Sequence, residues 1–171
     1  MIQKQYIPLF EDFEHDEQEN KVGTWIEFSE RIGAGILPIC ESTGRLLLGK
    51  RSGESSDSDT WGEFGIKFKN EDEEEENVLF LVEQAFRLQT GYSGVMKLIP
   101  SYVYETNKDS YKYFNFIAIL PEEFTPSLSE KNEESKWFSL EELKNIDRKA
   151  FHFGLKMMWE KDGDTITKYA K

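Results

Sequence analysis

The chain has 171 residues and a mass of 20.0 kDa, which suits one domain with its own apolar core. Its formal net charge of −12 argues against sequence-independent nucleic-acid binding and against an anionic membrane surface. A small nucleotide is not excluded, because local charges or a metal ion can meet its few phosphates. No apolar segment approaches the ~20 residues of a membrane span, and residues 1–13 lack a signal-peptide pattern. We therefore expect a cytoplasmic protein.

Residues 1–30 differ from the rest of the sequence, because acidic side chains surround a few aromatic ones without a helical or strand period. The aromatic residues are Tyr6, Phe10, Phe13, Trp25 and Phe28. The pattern predicts an arm on a domain of residues 31–171. The arm packs either on its own domain or on a partner. We expect a protein partner or self-assembly through it, because the acidic residues would keep the aromatics soluble until they bind.

A hairpin is predicted at the start of the domain. Residues 32–40 form an apolar run, residues 42–44 a turn, and residues 45–50 a second strand. The lone cysteine, Cys40, lies in the apolar run, which predicts a buried and inert thiol.

A helix follows a short β-like segment at residues 61–68 and an acidic run at residues 71–76. Residues 77–90 carry apolar side chains at helical spacing, and Gly91 stands where a helix C-cap belongs. The apolar positions are Val78, Leu81, Val82, Ala85 and Phe86.

The second half of the chain predicts another hairpin and several shorter elements. Residues 95–105 and 111–120 are rich in β-branched and aromatic residues. Ser139 and Glu142 have capping-box spacing after a short strand at Trp137 and Phe138. Residues 150–160 and 165–170 are further helical candidates. Strands mixed with helices in this order indicate an α+β or α/β sandwich.

This order of motifs resembles that of Nudix hydrolases, and most closely the phage and bacterial type. The matching stretches are residues 34–38, 44–48, 50–52, 60–62, 86–87, 90–92, 121–124, 137–138 and 152–156. The resemblance implies an α/β/α sandwich with a mixed sheet that hydrolyses a nucleoside diphosphate linked to another moiety. It also implies a signature helix whose glutamates hold Mg²⁺ or Mn²⁺, which activates water for attack.

The signature helix departs from this pattern at its chemistry. Alignment on Thr90, Gly91 and Tyr92 puts Gln84 at the arginine position and Ala85 at the first glutamate position. Leu88 and Gln89 then stand at the closing glutamate pair. Positions 85, 88 and 89 share one helix face, and neither a methyl nor an isobutyl group can ligate a cation. The box is therefore degenerate, and we predict no catalytic residues and no metal site.

Two alternatives bring carboxylates back. A different register uses Glu71 and Glu83, but recovers one carboxylate on the helix. The acidic run at residues 71–76 could bind a cation loosely, although a run of like charge is usually a solvated surface. Ile66 also replaces a family glycine between Gly65 and Lys67, which predicts an altered loop.

Arg51 and Glu83 are the candidate substrate-binding residues. For Arg51 the ordinary interpretation, a surface salt bridge, is favoured. With only two histidines, His152 is not expected to serve a histidine-based metal site. Aromatics that could stack a base are expected to be core residues instead; these are Trp61, Tyr104, Tyr113 and Phe116.

The sequence thus predicts a Nudix-fold protein that has lost catalysis and acts as a binding or structural module. Its setting would be a phage particle assembled in the cytoplasm, or another assembly, with a small nucleotide as a second ligand. The alternative is a divergent hydrolase of nucleoside-diphosphate-linked substrates, and only that alternative requires Mg²⁺ or Mn²⁺. A sensor that binds a nucleotide without cleaving it is a third interpretation.

Overall fold

The structure is a computed structural model that describes residues 5–7, 31–52, 59–69, 75–106, 111–128 and 132–171. Most of the predicted arm lies outside the described residues. So do residues 71–74 of the acidic run and the side chains of Glu75 and Glu76.

The described ranges contain eight strands and three α-helices. The strands are β1 (Gln5–Ile7), β2 (Arg31–Cys40), β3 (Leu46–Arg51), β4 (Trp61–Gly62), β5 (Phe64–Lys69), β6 (Lys97–Thr106), β7 (Tyr111–Leu120) and β8 (Asn132–Phe138). The helices are α1 (Glu75–Thr90), α2 (Leu140–Asn145) and α3 (Phe153–Tyr169), with a 3₁₀ turn at Arg148–Ala150.

The strands form one mixed sheet around β2. This strand pairs antiparallel with β3 and β5, and parallel with β7 over ten residue pairs from Arg31–Tyr111 to Cys40–Leu120. The outer pairs β1–β5, β3–β4, β3–β8 and β6–β7 are all antiparallel. The two predicted hairpins, β2–β3 and β6–β7, are confirmed.

Each face of the sheet buries a separate apolar cluster. Alternate residues of β2 (Ile32, Ala34 and Ile36) join the cluster beneath α1, because successive strand residues point to opposite faces. Leu37 and Ile39 join the cluster beneath α2 and α3. Helices therefore cover both faces, and the predicted α/β/α sandwich with a mixed sheet is confirmed. Cys40 is a buried free thiol, as expected.

The end of the chain agrees with the two predicted helical segments, residues 150–160 and 165–170. Helix α3 runs from Phe153 to Tyr169, and non-helical dihedral angles at Asp162 (φ −143°, ψ 33°) divide it into two helices that meet at a kink. Its start is set by His152, whose Nδ1 accepts a hydrogen bond from the Gly154 amide at 3.2 Å. The Asp162 carboxylate accepts hydrogen bonds from Ser101 at 2.6 Å and Thr165 at 2.7 Å, which holds the kink in place. The capping box of Ser139 and Glu142 at α2 is confirmed.

In the part of the chain that the structure describes, no helix is long and apolar enough to cross a bilayer.

Candidate functional site

Helix α1 is present and packs against the sheet. Val78, Val82, Ala85 and Phe86 are buried against the sheet, as their spacing predicts. The Phe86 ring meets three other rings, with centroid distances of 5.6 Å to Phe64, 6.0 Å to Tyr92 and 6.3 Å to Phe124. The helix ends at Gly91, which adopts a φ of 75° and donates its amide to the Arg87 carbonyl at 2.8 Å.

The positions aligned with the family's glutamates do not present a common exposed face. Ala85 and Gln89 are buried, and the Gln89 side-chain amide donates to the Gly65 carbonyl at 3.0 Å. Leu88 points the other way and is 81% exposed. Positions i, i+3 and i+4 are neighbours on a helix surface, but they do not point in the same direction. Here positions 85 and 89 face the core and position 88 faces solvent.

The neighbouring polar positions are engaged or solvent-facing. Glu83 is partly exposed and forms an ion pair with Arg87, with 3.2 Å between Oε2 and Nε. Arg87 also donates to the Gly94 carbonyl at 2.7 Å, so it ties the end of α1 to the following segment. Gln84, at the family's arginine position, is exposed.

The residues at positions 85, 88 and 89 do not fit a hard divalent cation. Ala85 and Leu88 contribute no oxygen, and Gln89 is fixed to the strand beneath it through its amide. Across the residues that the structure describes, no group of three or more histidine, cysteine, aspartate or glutamate side chains could hold a metal ion.

Ile66 replaces a family glycine without a strained backbone. It lies in regular strand β5 opposite Ala34 and is fully buried in the cluster beneath α1. An extended strand suits a β-branched side chain, so the isoleucine adds core contacts at this position.

Arg51 is not at the surface, and the interpretation as a surface salt bridge is wrong. Arg51 is only 3% exposed. It lies at the end of β3, where the pairing register with β8 shifts. The positive charge acts on Glu63, whose pKa it lowers against a larger opposing effect of burial. Arg51 is therefore a buried positive charge that acts on the buried Glu63 carboxyl.

Glu63 is the residue that the sequence analysis passed over. It lies between β4 and β5, is 7% exposed, and neither carboxyl oxygen has a hydrogen-bond partner in the described structure. Burial raises its pKa from 4.5 to about 8, with Arg51 opposing the shift. The signal in the sequence is an acid within the otherwise apolar and glycine-rich segment at residues 61–66.

The carboxyl of Glu63 occupies space left by a glycine. A Cβ on Gly35 would stand 2.8 Å from Glu63 Cδ and 2.5 Å from the Tyr113 hydroxyl. Gly35 is the strand partner of Asn115 on β7, whose side-chain amide donates to the Tyr102 carbonyl at 2.8 Å. The Asn115 Oδ1 is buried without a hydrogen-bond partner among the described residues.

Two of the four aromatic candidates are core residues, as expected. Tyr113 and Phe116 are buried, whereas Trp61 and Tyr104 are half-buried. His152 is buried and acts as the N-cap of α3.

Solved structures show which fold this is, although no family model matches the sequence and no curated protein resembles it. A Nudix hydrolase from M. smegmatis, RenU, superposes with a TM-score of 0.60 at 14% identity, covering 83% of this chain and 88% of the other. The chain has the Nudix hydrolase fold. The MutT protein of Methanosarcina mazei Go1 superposes with a TM-score of 0.57 at 19% identity, over 80% of this chain and 92% of that one.

A third structure with this Nudix fold belongs to a protein complex. The C-terminal domain of mouse MUTYH, solved with human PCNA, gives a TM-score of 0.57 at 15% identity and covers 83% of this chain and 93% of that one. At these identities the comparisons establish the fold alone.

Proposed function

We propose that this protein is a non-catalytic binding module built on the Nudix hydrolase fold. The observation that carries the proposal is the composition of α1. Where alignment places the glutamates, the helix offers a buried methyl group at Ala85, a bonded amide at Gln89 and an exposed isobutyl group at Leu88. A cation held loosely elsewhere would not be oriented to polarise a pyrophosphate.

The divergent-hydrolase alternative depends on the acidic run at residues 71–76 or on Glu83. Glu83 forms an ion pair with Arg87, and the described residues contain no group of three or more histidine, cysteine, aspartate or glutamate side chains that could hold a cation with it. The ion pair supports the binding module over the enzyme.

A hydrolysis assay separates these two functions. The full-length chain is incubated with Mg²⁺ or Mn²⁺ and ADP-ribose, GDP-sugars, dinucleoside polyphosphates or nucleoside triphosphates. We expect no metal-dependent turnover. Turnover that EDTA abolishes would establish the alternative, and its loss in Glu83→Gln or in a variant with glutamines at residues 71–76 would identify the carboxylates responsible.

We also propose that the module acts within an assembly, through residues 1–30. The acidic and aromatic composition of this segment supports the proposal. The suggestion of a phage particle rests on the sequence resemblance. The occurrence of a Nudix-fold domain in the MUTYH–PCNA complex is consistent with such a role. Light scattering of the full-length chain and of residues 31–171 tests self-assembly, since the shorter chain should be monomeric where the longer one associates.

A further inference from the structure

Strands β1 and β2 run parallel to each other on either side of β5, because both pair antiparallel with it. Strand β1 ends at Ile7, which is paired with Lys67. Strand β2 begins at Arg31, which is paired with Lys69. The direct path from the end of β1 to the start of β2 therefore returns over one face of β5. Residues 8–30 are long enough for this connection, since a crossover between parallel strands needs about a dozen residues.

Helix α1 already occupies one face of β2 and β5, where Val82 and Phe86 are buried against Phe64 and Ile66. The handedness of such connections favours the other face. The step from β1 to β2 and the step through α1 from β5 to β6 cross the sheet in the same direction, but their strands point in opposite directions. Connections between parallel strands are right-handed in nearly all proteins, so these two belong on opposite faces.

The side of the sheet away from α1 carries Gly33 and Gly35 of β2 and Gly65 of β5, and we call it the glycine face. Over Gly35 the space is filled by the Glu63 carboxyl and the Tyr113 hydroxyl. Gly33 and Gly65 are buried, although helix α3 on this side packs on β4, β6 and β7. Burial of glycines beside a helix that packs on other strands is expected where a further segment of chain covers them closely.

Charge makes residues 8–30 a suitable occupant of the glycine face. This segment contains eight acidic residues and one lysine. The positions around the glycines are basic, because Lys67 is the strand partner of Gly33 and Arg31 is the strand partner of Lys69. Paired residues and alternate residues of a strand share a face, so all three basic positions belong to the glycine face. Opposite charges favour this segment as the partner of these strands.

Aromatic groups at the border of the glycine face offer apolar contacts to the same segment. Tyr104 is the strand partner of Tyr113 and meets the Phe153 ring edge-on, with 5.7 Å between centroids. Phe153 is 39% exposed at the start of α3. The aromatic residues of the segment are Phe10, Phe13, Trp25 and Phe28. Its acidic and its aromatic residues both find complementary groups on this face.

We propose that residues 8–30 cover the glycine face of their own domain, and that assembly requires their release from it. The contact holds the aromatic residues of the segment on the domain, where a partner cannot bind them. This inference rests on the proposed assembly through residues 1–30, because it names what controls that assembly.

Carbodiimide cross-linking of the full-length protein locates the segment, because the reagent joins a carboxyl group to an amino group in contact with it. The protein is used at a concentration at which light scattering finds a monomer. Mass spectrometry should identify links from Lys67 or Lys69 to the acidic residues at 14–19, which lie far along the chain from both strands. Lys144 on α2 is exposed and serves as the control amine, which should give no link to this segment.

A mixture of isotopically labelled and unlabelled protein separates links within one chain from links between two chains. Links between chains alone would mean that the segment is exchanged with a second copy. An absence of links from Lys67 and Lys69, or equal linking of Lys144, would place the segment elsewhere. Each of these results would overturn the proposal.

Charge reversal tests whether the contact controls assembly. The double variant with Lys67→Glu and Lys69→Glu should release the segment and raise the association constant of the full-length chain by about tenfold, as measured by light scattering. Lys144→Glu combined with Lys168→Glu changes the net charge equally at exposed positions and should leave association unchanged. Near-ultraviolet circular dichroism checks that both variants are folded.

The two experiments fail separately. If the parent and both variants remain monomeric, the proposed assembly and its control are overturned, whereas the cross-links within one chain still report the position of the segment. If the parent associates and the reversal at Lys67 and Lys69 has no effect on its association, control by the glycine face is overturned and the assembly stands.

Discussion

A single buried acid makes the stability of this fold depend on pH. The Glu63 carboxyl has its ordinary pKa of 4.5 in the unfolded chain and a pKa of about 8 in the folded one. Between these values the folded protein holds a proton that the unfolded chain has released. The free energy of unfolding therefore falls as pH rises, by at most about 1.4 kcal/mol per pH unit, and this contribution levels off above pH 8.

Urea unfolding at pH 5.5, 7 and 8.5 measures this effect as the difference between the parent and Glu63→Gln. We expect the variant to gain stability relative to the parent as pH rises, because its amide does not ionise. Glu83→Gln serves as the comparison for an exposed carboxyl. A difference that stays constant with pH would contradict the burial of an ionisable group at this position.

Phe86 is the residue on which packing of α1 depends most. Its ring is fully buried against Phe64, Tyr92 and Phe124, so Phe86→Ala should lower the free energy of unfolding by about 3–5 kcal/mol. Phe80 lies on the same helix but is 60% exposed, and Phe80→Ala should change stability by no more than about 0.5 kcal/mol. Chemical denaturation of both variants gives the contrast, and equal effects would mean that the helix register is wrong.

Sequence reasoning at the residue level succeeded for apolar positions and failed for two charged ones. The burial of Val82 and Phe86 follows from local spacing, which a single helix contains in full. The burial of Glu63 depends on Gly35 and Tyr113, which come from two other strands. Arg51 was misjudged for the same reason, because the general preference of arginine for the surface says nothing about the tertiary neighbours.

At the scale of elements, strand β1 links the predicted arm to the domain. Gln5–Ile7 pairs antiparallel with residues 67–69 of β5 and extends the sheet at its edge. Deleting residues 1–7 should lower the unfolding temperature of the monomer by a few degrees, since it exposes the backbone hydrogen-bonding groups of β5. The measurement is a thermal melt at several protein concentrations. An unchanged melting temperature, with loss of association instead, would favour docking of the arm on a partner.

The elements themselves were largely predictable, because hairpins and helices have local signatures. The pairs β2–β3 and β6–β7, the capping box at Ser139 and the end of α1 at Gly91 all follow from short-range patterns. Two features do not. Strand β1 has only three residues, within a segment that shows no strand period, and the kink of α3 at Asp162 is held by a hydrogen bond from Ser101 on β6.

For the whole molecule, the order of motifs along the sequence was enough to predict the sandwich. This prediction required recognising each motif, but it did not require knowing which residues are neighbours in space. The buried polar cluster of Glu63, Gly35 and Asn115 could not be anticipated in the same way. It requires the strand neighbours of β2 in space, with β5 on one side and β7 on the other. The absence of carboxylates at positions 85, 88 and 89 can be read from the sequence, whereas a polar cluster across three strands is visible only after folding.

The parallel pairing of β2 with β7 also has a kinetic consequence. Each of its ten pairs joins residues 80 positions apart, as from Arg31 to Tyr111, and these two strands are the core of the sheet. Such non-local contacts slow folding, because the entropy of closing a long loop is lost before the contacts form. A nascent chain that has emerged only as far as α1 holds β2 and β5 without the strand that completes the sheet. We expect Ile117→Val on β7 to slow refolding in stopped-flow experiments, while Met158→Ala on α3 mainly accelerates unfolding.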